Sequence, residues 1–255
     1  MADEPIKKAS GQPTNDLVLA LVAEALADGP KRILDLGCGA GYTLELIAAL
    51  YRARGWDPAA YLSGVDIDLS GYRASVPSAP MDLNEPLPQG WGPFDIVLSI
   101  EVLEHSRRPY MLLADIRRIL APGGRFIFSV PNPGNMSSRW KYFLYGHHHM
   151  FYGPSDRPQD AGRLCGHINP LAVHYWDYGL RYAGFAEVDY RIDRRKKSAA
   201  ALAVLFWPLI ALGTALMHRH QRRYSAEVYA QNRRVLARVN HFDTLAGRTL
   251  IFLCR

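Results

Sequence analysis

The sequence of 255 residues predicts an α/β fold built on a doubly wound, mainly parallel sheet. The first observation is a short strand pattern at 32–36 that leads into a glycine-rich turn and then into a helix-like stretch at 42–54. Further strand patterns follow at 61–65, 79–83, 94–100 and 125–130. Helical spacing at 109–120 separates the last two of them, and such short strand-helix-strand units favour parallel pairing.

The glycine-rich turn, DLGCGAG, is typical of a ligand-binding strand-to-helix connection. Gly37 permits a tight turn, and Gly39 lets the backbone approach a ligand without an intervening Cβ. Gly41 opens the helix, whose first N–H groups favour carboxylate or phosphate. The spacing G-x-G-x-G is one residue shorter than the dinucleotide fingerprint. Asp35 would repel a pyrophosphate but suits a ligand with an ammonium group, which disfavours an NAD-linked oxidoreductase.

Three stretches together resemble class I S-adenosylmethionine (SAM) methyltransferases. DLGCGAG resembles the first motif of that family, and FDIVLSIEVLEH and ILAPGGRFIFSVPN stand where the family carries its later motifs. The resemblance covers about residues 33–132. It implies SAM as the cofactor and a Rossmann-like, seven-stranded sheet. In such a sheet, strand seven, predicted at 248–254, inserts antiparallel beside strand six at 186–192.

Acidic residues at the ends of two strands are candidates for contacts with this cofactor. Asp66 lies 25 residues beyond Gly41, where an acid can accept hydrogen bonds from ribose hydroxyls. The resemblance implies that Asp82 accepts one from the adenine amine. The full set of cofactor contacts implied in this way is Asp35, Gly37, Cys38, Gly39, Gly41, Asp66, Ile67, Asp82, Leu83, Ile100 and Glu101.

Two histidines are candidate bases, because methylation of an oxygen requires removal of its proton. His105 follows the fourth strand, although it could instead cap a helix. His167 resembles a histidine that recurs at this point in glycan- and lipid-directed methyltransferases. The run His147, His148, His149 is not expected to bind a metal, because three consecutive side chains cannot all face one ion. We interpret it as pocket lining or a solvated loop.

Charge and cysteine content separate the C-terminal quarter from the rest. The net charge is +6, but the residues from Arg191 onward carry 13 Lys/Arg against 3 Asp/Glu, whereas the preceding 190 residues have a net charge of −4. This basic quarter requires an anionic neighbour. Cys38, Cys165 and Cys254 are scattered and form no C-x-x-C pair, so neither a disulfide scaffold nor a zinc ribbon is expected.

Residues 194–246 are predicted to be an insertion between the last two strands. Within it, 198–217 contains no charge, has Trp207-Pro208 at its midpoint and is flanked by basic runs. Length and flanks meet the usual criterion for a membrane-spanning helix. A crossing would separate strand seven from its sheet, so we expect a re-entrant or interfacial helical hairpin docked on a membrane. A buried hairpin or a dimer contact is the alternative. Nucleic acid is not an expected partner, because RNA binding does not need the apolar segment.

The predicted organisation has three parts: a disordered lead-in (1–13), a methyltransferase domain (14–193 with 247–255) and a membrane-docking insertion (194–246). The expected function is O-methylation of a small-molecule or lipid-linked acceptor by a cytoplasmic enzyme, peripheral or monotopic at the inner face of the cell membrane. The VPN turn and the GHINPL stretch favour an envelope saccharide or glycolipid over a polyprenyl quinone. An NAD-linked oxidoreductase and a SAM-binding protein without catalysis are the alternatives from other classes.

Overall fold

The computed structural model describes residues 6–7, 10–157, 160 and 166–255, which form two compact units. Unit 1 comprises Met1–Val130, Leu180–Arg191 and Ile251–Arg255, and unit 2 comprises Pro131–Gly179 and Ile192–Leu250. The predicted insertion thus belongs to unit 2, which also takes in the chain from Pro131 to Gly179. Cys165 lies outside the described residues.

The sheet has the predicted seven strands. Its strands are β1 (Ile33–Leu36), β2 (Leu62–Asp66), β3 (Ser78–Pro80), β4 (Phe94–Ile100), β5 (Leu120–Pro131), β6 (Val188–Ile192) and β7 (Thr249–Cys254). They pair in the order β3-β2-β1-β4-β5-β7-β6, and the first four pairs are parallel. Backbone bonds join Glu187 to Arg255, and Asp193 to Thr249, so β7 runs antiparallel to β6. The predicted α/β, doubly wound seven-stranded fold is confirmed.

Helices connect these strands. They are α1 (Gln12–Ala25), α2 (Tyr42–Arg52), α3 (Pro58–Tyr61), α4 (Pro109–Ile119), α5 (Met136–Tyr145), α6 (Val173–Tyr182), α7 (Lys197–Leu205), α8 (Trp207–Tyr224), α9 (Ala226–Val239) and α10 (Phe242–Ala246). Helix α1 begins within the predicted lead-in 1–13, because Pro13 occupies its first turn, where the missing N–H costs nothing. Of that lead-in, residues 1–5 and 8–9 lie outside the described residues.

The core of unit 1 fixes the start of β1 and therefore the turn that follows it. Strand β1 is buried at every residue, as expected for a parallel strand covered on both faces. Val18 and Val22 of α1 and Ile47 of α2 pack in the same apolar cluster. The Tyr51 hydroxyl donates to the Lys31 carbonyl at 2.5 Å and accepts from its N–H at 3.0 Å, which ties α2 to the chain entering β1.

Unit 2 has a separate core and a buried polar anchor. Met136 of α5, Ala199 and Ala203 of α7 and Leu245 of α10 form its apolar cluster. The Asn132 side chain donates to the carbonyls of Thr244 at 2.7 Å and Gly247 at 3.0 Å, and accepts from the Gly134 N–H at 2.9 Å. This asparagine of the VPN turn therefore links the segment after β5 to the segment before β7.

The apolar stretch 198–217 is divided between α7 and α8. The two helices meet at Phe206 and bend by 73°. The break at Trp207-Pro208 was predicted, since Pro208 is tolerated only in the first turn of a helix. The bend does not fold the helices back on each other as the expected hairpin would. Among the described residues, no single helix is long and apolar enough to span a membrane; α7 and α8 meet that test only as a bent pair.

Candidate active site

The glycine-rich turn is tightly packed at its start and open at its centre. Gly37 has a φ of 80°, and a Cβ on it would lie 2.4 Å from Cγ2 of Val102. Its N–H donates to the Val65 carbonyl at 2.8 Å, which ties the turn to β2. Gly39 has a φ of 53°, and a Cβ there would meet no heavy atom within 4 Å. The turn therefore leaves space over Gly39 for a ligand to approach the backbone.

Asp66 holds this turn from the end of β2. Its Oδ2 accepts from the Gly39 N–H at 2.8 Å, and its Oδ1 accepts from the Asp68 N–H at 3.1 Å. A carboxylate has about four acceptor positions, so two further donors can bind it. These remaining acceptor positions leave Asp66 able to bind hydroxyls, and its contact with the ribose stays a prediction.

Asp35 is a buried carboxylate beside the turn. It is 2% exposed, and no described residue donates to its Oδ1. Burial, with a smaller contribution from Asp66, raises the pKa of this carboxyl to about 7. An acceptor left unsatisfied in the interior fits a ligand with a positively charged donor. Asp35 therefore suits the ammonium group of the expected cofactor.

Asp82 lies next to Asp66 because of strand pairing. Pro80 is the register partner of Asp66, and the Met81 N–H donates to the Asp66 carbonyl at 2.8 Å. Oδ1 of Asp82 accepts from the Asn84 N–H at 2.8 Å and from Asn84 Nδ2 at 2.9 Å. One carboxylate oxygen thus stabilises the local turn, while the chain places this acid and Leu83 beyond the carboxyl end of β3.

The carboxyl end of β4 is strained. Glu101, which follows Ile100, has a φ of 58°, a conformation that residues with a Cβ rarely adopt. Its N–H donates to both the carbonyl and the hydroxyl of Ser129, each at 3.1 Å, so β5 holds the strained residue in place. Strain of this kind costs about 1–3 kcal/mol and clusters at functional sites.

Comparison with known families identifies the chain. A family model described as a methyltransferase domain matches residues 12–159, more than half of the sequence. The chain belongs to the methyltransferase-domain family. Together with the fold, this confirms the predicted class I SAM-dependent methyltransferase, with SAM as its cofactor. Unit 1, which holds Asp35, the glycine turn, Asp66, Asp82 and Glu101, carries the predicted cofactor contacts of this methyltransferase.

Several curated relatives are O-methyltransferases by name. A ubiquinone biosynthesis O-methyltransferase of Acinetobacter baylyi is 28% identical over 198 residues, covering 66% of this chain and 77% of the relative. One from Maricaulis maris is 33% identical over 111 residues, covering 40% of this chain and 41% of the relative. A malonyl-[acyl-carrier protein] O-methyltransferase of Legionella pneumophila is 29% identical, covering 41% of this chain and 37% of the relative. The match thus spans less than half the length of the last two relatives.

Solved structures share the fold. A SAM-dependent methyltransferase from Archaeoglobus fulgidus superimposes with a TM-score of 0.52 at 16% identity, covering 94% of this chain and 93% of the other. The CurJ carbon methyltransferase gives the same TM-score at 17% identity, covering 94% of this chain and 53% of the other. At these identities the likeness establishes the architecture alone.

Glu104 is a buried acid of the methyltransferase that the sequence analysis did not single out. It is fully buried in the short 3₁₀ turn Leu103–His105. Burial, and secondarily the charge of Glu101, raises the pKa of its carboxyl well above the usual range. The neutral form of this side chain, which can donate a hydrogen bond, is therefore favoured over the ionised form. Its spacing from Glu101 in EVLEH was visible in the sequence, but its burial was not.

The two candidate bases lie in different units. His105 ends the same 3₁₀ turn in unit 1, is half-buried, and donates its backbone N–H to the Val102 carbonyl at 2.9 Å. His167 in unit 2 is buried, with its ring 5.6 Å from that of Phe151. The role of either as a base stays a prediction. Cys38 is a poor nucleophile, because burial and the charges of Asp35 and Asp66 raise the pKa of its thiol to about 12.

The three consecutive histidines have different partners. The ring of His147 meets that of Tyr152 edge-on at 5.3 Å. His148 stacks on Tyr142 at 4.5 Å between ring centroids, and its Nδ1 lies 3.2 Å from the Ser138 hydroxyl. His149 Nδ1 lies 3.1 Å from Lys141 Nζ. The three rings therefore have separate partners within unit 2, and their interpretation as pocket lining or a solvated loop stays a prediction.

Unit 1 also has a pocket at the amino ends of its strands. Asp28, Lys31, Asp95 and Arg125 are among the residues that line it. Ligands of open parallel sheets bind at the carboxyl ends of the strands, where the glycine turn lies. We therefore assign no part of the methyltransferase chemistry to this pocket.

Proposed function

We propose that this SAM-dependent methyltransferase methylates a hydroxyl oxygen of an acceptor that is held in a lipid membrane. The observation that carries the proposal is the outward face of α7 and α8 in unit 2. Its side chains are 55–70% exposed: Val204, Leu205, Leu209, Leu212 and Leu216. Several exposed apolar side chains along consecutive helices are typical of a site of interaction with a protein or a membrane.

This outward face is not needed for the fold of unit 2. Ala199 and Ala203, on the opposite side of α7, supply the contacts to the core. Trp140 of α5 stacks on Phe206 at 5.7 Å and so extends the apolar surface to Phe143, which is 77% exposed. Tryptophan and tyrosine are enriched where proteins meet the headgroup level of a membrane. We name this combined surface of α5, α7 and α8 the apolar face.

The charges that border the apolar face favour a membrane over a protein partner. Residues 194–197 are all basic, and Arg219, Arg222 and Arg223 follow at the other end. Each Lys or Arg near an anionic surface contributes about 1 kcal/mol to membrane binding. Apolar burial adds about 25 cal/mol per Å². Neither contribution requires the chain to cross the bilayer, so we propose a peripheral or monotopic enzyme on the inner face of the cell membrane.

The burial of Asp35 and the contacts of Asp66 and Asp82 support the cofactor roles that we propose for unit 1. We propose that Asp35 binds the ammonium group of SAM, Asp66 its ribose hydroxyls and Asp82 its adenine amine. The space over Gly39 admits the cofactor, with Cys38, Gly41, Ile67, Leu83, Ile100 and Glu101 as the remaining proposed contacts. When bound, SAM supplies an electrophilic methyl group on a positively charged sulfur. Protein side chains then have to orient the acceptor and remove its proton.

Two classes of acceptor fit an oxygen nucleophile. The first is a saccharide or glycolipid, favoured by the resemblance of GHINPL around His167 to glycan- and lipid-directed enzymes. The second is a polyprenyl quinone precursor, favoured by the Acinetobacter relative, 77% of which is covered by the match. In both classes the hydroxyl has to lose a proton, for which we propose His105 or His167.

The test is methyl transfer from labelled SAM by the full-length protein. Acceptors are a prenylated catechol in vesicles, a lipid-linked saccharide in vesicles and a water-soluble catechol. We expect transfer to a vesicle-held hydroxyl to exceed transfer to the soluble one. Replacing the base, His105→Gln or His167→Gln, should lower turnover by about 10²–10⁴ while leaving SAM affinity unchanged. Equal rates on soluble and vesicle-held acceptors would contradict the proposal, and unchanged turnover in both variants would exclude these histidines.

A further inference from the structure

Basic side chains from four separate segments converge in unit 2. They are Lys141 of α5, His149 in the loop that follows it, Lys196 just before α7 and Arg248 just before β7. Lys141 Nζ lies 3.1 Å from Nδ1 of His149. An ammonium group can only donate, so Nδ1 accepts and the imidazole proton resides on Nε2. His149 is thereby kept neutral and retains one donor.

Backbone pairing places Lys196 and Arg248 on one face. Arg195 and Gly247 form an antiparallel bridge, the Lys196 N–H donates to the Ala246 carbonyl at 2.7 Å, and the Arg248 N–H donates to the Arg194 carbonyl at 3.1 Å. Residues adjacent to a bridged pair point to the opposite side from it. Lys196 and Arg248 are therefore diagonal neighbours on the same side, while Arg195 turns to the other side and pairs with Asp243 at 2.8 Å.

The positive charges of this group act on one another. Burial, followed by the charges of Lys196, Lys141 and Arg248, lowers the pKa of His149 to about 4. Burial, followed by Lys141 and Arg248, also lowers the pKa of Lys196. Within the described residues, no carboxylate forms an ion pair with Lys141, Lys196 or Arg248; the nearby acids Asp193 and Asp243 are paired with Arg194 and Arg195.

Helix α7 begins at the same place and adds to the positive potential. Lys196 is its N-cap residue, no side chain caps the helix, and its first turn contains no acid. The amino end of a helix attracts anions through its unsatisfied N–H groups. Hydroxyls are also present, because Ser198 Oγ lies 2.9 Å from Ser137 Oγ. Such a set of donors matches a tetrahedral, multiply charged anion better than a single carboxylate.

We propose that Lys141, His149, Lys196 and Arg248 form a binding site for a phosphoryl group. This inference deepens the proposed function. It rests on that function only for the identity of the molecule that carries the phosphoryl group. Lys141 stands on α5 between Trp140 and Phe143, two members of the apolar face. A phosphoryl group with a hydrocarbon chain therefore fits: either the phosphate of a polyprenyl phosphate that carries the acceptor, or an anionic phospholipid headgroup.

The test is titration of the full-length protein with sodium pyrophosphate and with farnesyl phosphate, at constant ionic strength. Saturable binding is expected, and the double variant Lys196→Gln/Arg248→Gln should weaken it by about 100-fold, since two charge-assisted contacts are lost. Arg191→Gln removes one exposed positive charge in unit 1 and should leave binding unchanged. Without ligand, the melting temperature of the double variant should equal or exceed that of the wild type, because mutual repulsion is relieved.

A third titration uses vesicles of phosphatidylglycerol or phosphatidylcholine. Farnesyl phosphate binding that depends on Lys196 and Arg248 assigns the site to a lipid-linked acceptor. If only binding to phosphatidylglycerol depends on them, the site is assigned to the headgroup. The proposal is overturned if neither depends on these residues, or if the double variant melts well below the wild type and the wild type binds no phosphate. Sedimentation with phosphatidylcholine vesicles measures membrane binding through the apolar face separately. Failure of the phosphoryl-site proposal can therefore be distinguished from failure of the proposed membrane docking.

Discussion

The two units each gather side chains of one sign, acids in unit 1 and bases in unit 2. In unit 1, Asp66 acts on the buried Asp35, and Glu101 on the buried Glu104. In unit 2, Lys141 and Arg248 act on Lys196. In each case burial opposes the charged form and like charges add to the effect. Groups of this kind destabilise the protein unless a ligand of opposite charge compensates them, so the comparison indicates a cationic ligand for unit 1 and an anionic one for unit 2.

The surroundings of the two groups also differ. Asp66 is held by backbone N–H groups at the end of a buried strand, and Glu101 by Ser129 of the next strand. The basic group of unit 2 stands instead at helix ends beside exposed apolar side chains such as Phe143. A rigid, enclosed frame suits a small cofactor of fixed shape, whereas an open, apolar border suits a lipid.

The largest expected effect concerns the glycine-rich turn beside the acidic side chains of unit 1. Gly37→Ala should lower the free energy of unfolding by about 3 kcal/mol, because a Cβ would lie 2.4 Å from Val102 on a backbone with a φ of 80°. Gly39→Ala is the matched variant, with open space around its Cβ. It should cost about 1–2 kcal/mol of stability but weaken SAM binding. Urea unfolding measures the stability of the two variants, and titration measures their SAM affinity. Equal losses of stability in Gly37→Ala and Gly39→Ala would contradict this account of the turn.

The second effect concerns the buried hydrogen bonds of Asn132 in unit 2. Asn132→Ala should cost about 2–3 kcal/mol, because it removes buried hydrogen bonds to the carbonyls of Thr244 and Gly247. SAM affinity should be retained, since Asn132 belongs to no cofactor contact. Asn232→Ala serves as the control, because this amide in unit 2 donates to the Val228 carbonyl of its own helix at 3.0 Å. If Asn132→Ala lost SAM binding at temperatures where it remains folded, the assignment of cofactor binding to unit 1 would be contradicted.

A smaller effect is expected from pH. The pKa of Asp35 is raised from 3.8 to about 7, so the folded protein binds a proton that the unfolded chain releases. The stability contributed by this group is complete below pH 3.8 and is lost as the pH rises to about 7. A bound ammonium group favours the ionised form, so SAM affinity should rise by about tenfold between pH 6 and pH 7.5. Titration calorimetry at several pH values should show this rise in the wild type and not in Asp35→Asn.

The acidic site was largely predictable because its chemistry is local in sequence. Asp35 and the glycine turn are contiguous, and Asp66 and Glu101 follow recognisable strands. The basic group was not, since Lys196 and Arg248 are distant in sequence and come together only through the pairing of 194–196 with 246–248. Helix α5 was also missed, because its aromatic residues and the neighbouring glycines, prolines and histidines gave 135–167 an irregular pattern. The break at Trp207-Pro208 was predicted because proline acts locally on the backbone.

The central claim is that unit 1 binds the cofactor and unit 2 binds lipid. The direct measurement is co-sedimentation of the full-length protein with phosphatidylglycerol–phosphatidylcholine vesicles, with SAM affinity determined on the same samples. The test variant is Leu205→Ser/Leu209→Ser, which alters the apolar face. The control is Met111→Ser, an equally exposed apolar residue on α4 of unit 1.

We predict that the double variant binds vesicles at least about tenfold more weakly, because each leucine loses about 1.5–3 kcal/mol of apolar burial in the membrane. Its SAM affinity should equal that of the wild type, and Met111→Ser should match the wild type in both measurements. Unchanged vesicle binding by Leu205→Ser/Leu209→Ser, or an equal loss in Met111→Ser, would contradict the account.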